Sequence, residues 1–103
     1  MANRYAPLRL PNVLHPMLVD YQSKITQFGA DGDNTTQQHV DWFRYFVELH
    51  EIDEEDVQMR LFAQSLKGQV RDWYLVLTAR SIADMAAFKT LFVGKWWEKK
   101  NPV

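Results

Sequence analysis

Apolar residues return every three or four positions along most of this chain, which is the period of an amphipathic helix. Met59, Phe62, Ala63 and Leu66 keep that spacing up to Lys67-Gly68, and Val70, Trp73, Tyr74 and Leu77 resume it beyond. Two helices are therefore predicted to meet at this corner. Gly68 suits the position after a helix end, because it enters the left-handed region without a Cβ clash. The corner brings Phe62 and Leu66 close to Trp73.

Upstream, Thr35 with Gln38 three residues on matches a capping box, and the helix it starts is expected to run to about His50. At about 100° per residue, Asp41, Arg44 and Glu48 share one narrow polar strip. Val40, Phe43 and Val47 fall on one side of it, and Trp42, Tyr45, Phe46 and Leu49 on another. A helix with that much apolar circumference either sits centrally or covers the core with one side and offers the other. The next helix is expected to start at Asp53 as N-cap, with Glu54, Glu55 and Asp56 supplying negative charge to its first turn, and to end at Lys67-Gly68. The Trp73 helix is expected to reach about Ala79. Ser81 with Asp84 three residues later predicts the cap of a last helix, whose inner stripe is Ile82, Met85, Phe88, Phe92, Val93 and Trp96 and which Asn101-Pro102 ends. Adjacent Trp96 and Trp97 point about 100° apart, so they cannot share a core pocket. One of them is expected to meet something outside the compact unit.

Before these helices the pattern changes. Pro7, Pro11 and Pro16 make the first sixteen residues an extended arm, whose Leu8, Leu10, Val13 and Leu14 are available for docking. Docking into a groove of its own domain is favoured over docking on a neighbouring copy. Met17 to Phe28 is a short helical or irregular segment, with Leu18, Tyr21, Ile25 and Phe28 at spacings of three and four. Gly29 to Asn34 is a loop by composition. The expected fold is all-α: four main helices, with room for a fifth short one near the N-terminus, in a single domain of 103 residues. Residues 1–27 form the arm and a short variable segment, and 28–103 form the helical unit.

Composition sharpens this reading. Hydrophobic residues make up 47% of the chain and aromatics 14%, including four tryptophans, more than so small a core hides completely. Some aromatic surface is expected to face a partner. The formal charge of −1 gives no long-range attraction to nucleic acid or membrane. The absence of cysteine excludes disulfides, thiolate catalysis and cysteine-ligated metals. The start MANRYAPLRL has no signal-peptide core and no apolar run approaches a membrane span, so an intracellular, cytoplasmic setting without membrane contact is expected.

Candidate chemistry is sparse. Asp31, Asp33 and Asn34 suggest calcium, but a twelve-residue loop from Asp31 puts Trp42 where an EF-hand needs glutamate, and solvated turn residues explain the run. The triple Glu54, Glu55 and Asp56 reads as helix-start electrostatics in a solvated turn. His15, His39 and His50 form no ligand set and are expected at surfaces or helix ends; Ser65 and Ser81 have no base at a fixed spacing. No catalytic residue, metal site or cofactor site is expected. Lys95, Lys99 and Lys100 beside Trp96 and Trp97 have the charge-plus-stacking composition of single-strand RNA binders, although lysines at a helix C-terminus account for themselves through the dipole.

One combination of residues goes further. Phe46, then Met59-Arg60-Leu61-Phe62-Ala63-Gln64-Ser65-Leu66-Lys67-Gly68, Val70, Trp73-Tyr74, Ser81-Ile82, Asp84, Phe88 and Leu91-Phe92 resembles the Gag polyproteins of plant gypsy-type LTR retrotransposons. The match covers about Gln27 to Pro102, with Met85 standing where the family often has another tryptophan. The resemblance implies the N-terminal lobe of a capsid domain, helical and non-catalytic, assembling by homotypic contacts into a shell around RNA. Phe43, Phe46, Leu61, Phe62, Leu66, Gly68, Trp73, Tyr74, Ile82, Phe88 and Phe92 are then its core and signature positions. Zinc-knuckle cysteines and a second capsid lobe are absent from this sequence, so RNA would be met only indirectly or through other regions, and a fragment or a domesticated Gag-like protein is expected. Leu8, Leu10, Val13, Leu14, Trp42, Tyr45, Leu49 and Trp97 are the candidate contacts with a second copy. A groove binding a partner's peptide is the alternative, and RNA binding through Lys95, Lys99 and Lys100 a weaker one.

Overall fold

In a computed structural model, described for residues 4–17 and 20–100 (the side chains of Gln22, Glu98, Lys99 and Lys100 excepted), the chain is all-helical. Five helices follow one another: α1 (Asp20–Lys24), α2 (Thr36–Leu49), α3 (Glu55–Gln64), α4 (Gly68–Leu75) and α5 (Met85–Lys100). The capping box forms as expected: Gln38 N–H donates to Thr35 Oγ1 at 3.0 Å, and Thr35 N–H donates to Gln38 Oε1 at 2.9 Å.

The central element is α3, not α2. Eight of its ten residues are buried, Asp56, Arg60 and Gln64 among them. One side carries Phe62, whose ring meets Phe43 at 5.0 Å, Phe88 at 4.9 Å and Phe92 at 5.3 Å, mostly edge to face. That cluster locks α2 and α5 onto α3, and each such ring pair adds about 0.5–1.5 kcal/mol beyond its area. The opposite side of α3 is covered by the N-terminal segment. Leu8 is buried, and Pro7 to Arg9 run parallel to Ile82: Arg9 N–H donates to Ile82 O at 2.9 Å and Ile82 N–H to Pro7 O at 2.9 Å. The chain then crosses the α3 stripe of residues 56, 60 and 64.

Several predicted boundaries shift. The N-cap of α3 is Glu54, without a side-chain bond, and Asp53 stays exposed in the turn before it. Ser65 closes α3, and Gly68 opens α4 with φ of 59° instead of ending the helix before it. The left-handed conformation expected there is present; it serves the next helix. The α4 helix stops at Leu75, four residues earlier than predicted, with Val76 as its C-cap; the turn that follows holds Arg80 at positive φ, its N–H bonded to Ala6 O at 2.8 Å. The cap of α5 is Asp84, whose Oδ1 accepts from Ala87 N–H at 2.7 Å; Ser81 lies outside the helix.

Candidate interaction surface

The candidate contacts divide. On α2, Tyr45 and Leu49 are 63% and 59% exposed, large fractions for apolar side chains on a helix whose neighbours Phe43 and Phe46 are buried. Trp42 lies on the same strip but is half-buried, tilted against Phe46 at 5.3 Å and stacked on His39 at 5.3 Å. It is the base of the patch, with Tyr45 and Leu49 as its rim. On α5, Trp96 is buried, edge-on to half-buried Trp73 at 6.2 Å, and Trp97 is 41% exposed. The divergence of adjacent tryptophans thus resolves with Trp97 outward.

The N-terminal candidates also separate. Leu8 belongs to the core and is not available to a partner, whereas Val13 is 83% exposed and Leu14 lies on an open cleft of ≈ 390 Å³ with Tyr5, Leu10 and Arg80. Exposed Leu75, Val76 and Leu91 were missed by sequence reasoning. For Val76 the cause is the overlong α4, which hid it among helical positions.

Lys95 places its Nζ 5.8 Å from the Trp96 ring centre, a cation–π contact within its own helix. The side chains of Lys99 and Lys100 lie outside the described residues. Lys89, which the sequence did not single out, has its ammonium pushed below the ordinary lysine value by burial and then by Arg44. Two cations therefore sit close together where α2 packs on α5. Arg44 has Asp41 at 4.0 Å as a partner, an exposed pair of small energetic consequence. No pairing of Arg44 with Glu48 accompanies it.

Two polar groupings correct the surface assignment of histidine and the solvated reading of the acidic turn. His39 is buried among Phe28, Trp42, Phe62 and Phe92. Ser65 Oγ donates to Phe62 O at 2.6 Å, so it accepts from His39 Nε2–H at 2.8 Å; Nδ1 has no partner. That arrangement requires a neutral ring, and burial lowers its pKa from 6.5 to about 4. The pair resembles a nucleophile and its base, but both residues are sealed from solvent, so it fastens α2 to the end of α3. The signal was readable: His39, Phe43 and Phe46 share one helical face.

The acidic turn is likewise put to use. Glu55 Oε2 accepts from Met85 N–H at 3.2 Å, joining the starts of α3 and α5. Asp56 Oδ2 accepts from Arg60 Nη2 at 3.0 Å and from His15 N–H at 2.9 Å, and its Oδ1 lies 2.8 Å from His15 Nδ1. Burial alone would raise the Asp56 carboxyl, but the His15 bonds and the Arg60 charge outweigh it and hold the group below its ordinary value. Arg60 Nη2 also donates to His15 O at 2.6 Å, and Gln64 Nε2 to Tyr5 Oη at 2.5 Å. Residues 56, 60 and 64, a polar stripe at spacings of four, thus bind the N-terminal segment down. Tyr74 Oη adds a bond to Arg4 O at 2.6 Å, its phenol pushed up by burial and by nearby Tyr5.

Among the described residues no helix is long and apolar enough to cross a membrane. No family model, curated protein or solved structure matches this chain.

Proposed function

We propose that this chain is a structural self-association module, the N-terminal lobe of a Gag-like capsid protein, with no catalytic role. The observation that carries the reading is the pair of solvent-facing apolar residues on α2, Tyr45 and Leu49, on a helix whose other apolar side already saturates the core. Leaving them in water forgoes burial worth about 25 cal/mol for each Å² covered. Covering them with another molecule recovers it. The resemblance of the Arg60 to Tyr74 run to plant gypsy-type Gag proteins supplies the assembly role. Sedimentation velocity across a concentration series tests the proposal. The expected result is a mass rising with concentration, abolished in a Tyr45→Ala/Leu49→Ala variant whose melting temperature is unchanged. A protein that stays monomeric throughout refutes it.

A second reading, an adapter that takes a partner's peptide in a groove, draws on a different observation. Beyond a turn at residues 4–7, Leu8 and Arg9 lie beside Ile82, with Ala6 O and Pro7 O accepting from the N–H groups of Arg80 and Ile82 and Leu8 buried, so the body has a seat for a short stretch of chain. That seat is filled by the protein's own residues. Self-association through α2 needs no such displacement and stands first.

A further inference from the structure

The loop that leads into α2 joins two fixed points. On one side Phe28 is tied to the end of α3, its N–H donating to Ser65 O at 2.7 Å and its carbonyl accepting from Lys67 N–H at 2.9 Å; on the other, Thr35 sits in its capping box. Between them a turn is closed by Gly32 N–H donating to Gly29 O at 3.2 Å. That distance lies at the long end of the range for such a bond. Local opening of the turn frees the Gly32 nitrogen without disturbing either anchor.

Asp31 stands in this turn, exposed, and among the described residues no hydrogen bond or ion pair holds its carboxylate. Its Oδ1 reaches back over Gly29, 3.0 Å from where a Cβ would stand there. An exposed, unheld side chain changes rotamer on the picosecond to nanosecond scale, so the carboxyl also visits the side of Gly32. Gly32 has no Cβ to shield its nitrogen, and it reaches backbone angles that other residues avoid. Of all the aspartates and asparagines in the chain, Asp31 alone is followed by glycine. Elsewhere the fold protects: Asp56 is buried in its bonds to His15 and Arg60, and Asp41 and Asp72 lie within helices, whose backbone cannot turn a nitrogen onto the carboxyl without breaking helical bonds.

We infer that Asp31-Gly32 is a site of spontaneous isoaspartate formation in the folded protein, and hence a substrate for a protein isoaspartyl carboxyl methyltransferase. The Gly32 nitrogen attacks Cγ of the Asp31 carboxyl in its acid form; the new C–N bond closes a cyclic imide, and the carboxyl hydroxyl leaves as water with the proton of the nitrogen. Water then adds to one of the two imide carbonyls. Opening at Cγ restores aspartate. Opening at the main-chain carbonyl breaks the original Asp31-Gly32 bond, routes the chain through Cβ and leaves the α-carboxyl free. The water lost is regained, so the mass is unchanged and no oxidant or cofactor is consumed. The isomer lengthens the backbone by a methylene, which the loop absorbs between its two anchors. Nothing in this chemistry depends on self-association.

Ageing the full chain at neutral pH in water enriched in heavy oxygen, followed by tryptic mapping, tests it. The peptide from Ile25 to Arg44 is expected to appear in a second form, separable by chromatography, accepting a methyl group from the methyltransferase, carrying one heavy oxygen and placed at Asp31 by electron-transfer fragmentation. Circular dichroism checks that the aged protein is still folded, and a parallel sample in urea gives the behaviour of the unfolded chain. In Gly32→Ala the added methyl meets Gly29 O at 3.5 Å, an ordinary contact, so the variant folds; it is expected to lose most of the signal. Isoaspartate found only in the urea sample overturns the inference, as does isoaspartate forming equally at other aspartates or a Gly32→Ala variant that ages like the parent.

Discussion

Acid should weaken this fold through one buried side chain. His39 is neutral in the fold, its Nε2–H given to Ser65 and its Nδ1 facing hydrocarbon, and its pKa is held at about 4 against 6.5 for a free imidazole. The unfolded chain therefore takes up a proton that the folded chain refuses throughout that interval. The group's stabilisation is complete above 6.5, declines as pH falls, and is exhausted near 4, with a slope of about 1.4 kcal/mol per pH unit and a total of about 3 kcal/mol. For a domain whose whole stability is on the order of 5–10 kcal/mol, that loss is a large fraction. Urea titrations at a series of pH values, followed by tryptophan fluorescence, measure it directly, and His39→Gln supplies the control. A glutamine amide can still donate to Ser65 but does not titrate, so its stability should stay level over the same range. Asp56 acts in a separate window: its lowered carboxyl keeps its contribution until pH falls below the ordinary value of 3.8. A His39 ring that titrates near 6.5 in the folded protein by NMR, or a His39→Gln variant that loses stability with acid as steeply as the parent, refutes this pH dependence.

Two further perturbations address backbone and strap. Gly68→Ala has open space for its methyl group but must hold φ of 59°, so thermal unfolding should report a loss of about 1–2 kcal/mol from backbone strain alone; an unchanged melting temperature would contradict the left-handed assignment. Arg60→Ala leaves Asp56 buried without its cation and frees the His15 carbonyl, which should cost about 3–5 kcal/mol in urea unfolding and open the segment from Pro11 to Met17 to limited proteolysis. If the variant keeps full stability, residues 11–17 are not held by this network.

Local sequence alone determined the helices and one of their starts. Thr35 and Gln38 form their capping box because both partners lie within four residues and need nothing from elsewhere. The phenylalanines at 43, 62, 88 and 92 were legible as core because helical spacing lines them up on one side of each helix whatever packs there. Opposite directions for Trp96 and Trp97 followed from helix geometry in the same way. The candidate surface was legible in outline only: Tyr45, Leu49 and Trp97 face outward, but the sequence could not separate them from Trp42 and Leu8, whose burial depends on what lies across from them.

Only the tertiary structure decided what the polar residues do. Asp56, Arg60 and Gln64 fall on one polar stripe of α3, and the N-terminal segment, some forty to sixty positions earlier, covers them and takes their hydrogen bonds. His39 shares the helical face of Phe43 and Phe46, which marks it for burial, but the Ser65 hydroxyl that takes its hydrogen bond lies 26 positions away. Both outcomes rest on contacts between distant parts of the chain. A polar group can be buried only where a partner meets it, and helical periodicity, which sees a few residues at a time, carries no record of a partner that arrives from the other end of the molecule.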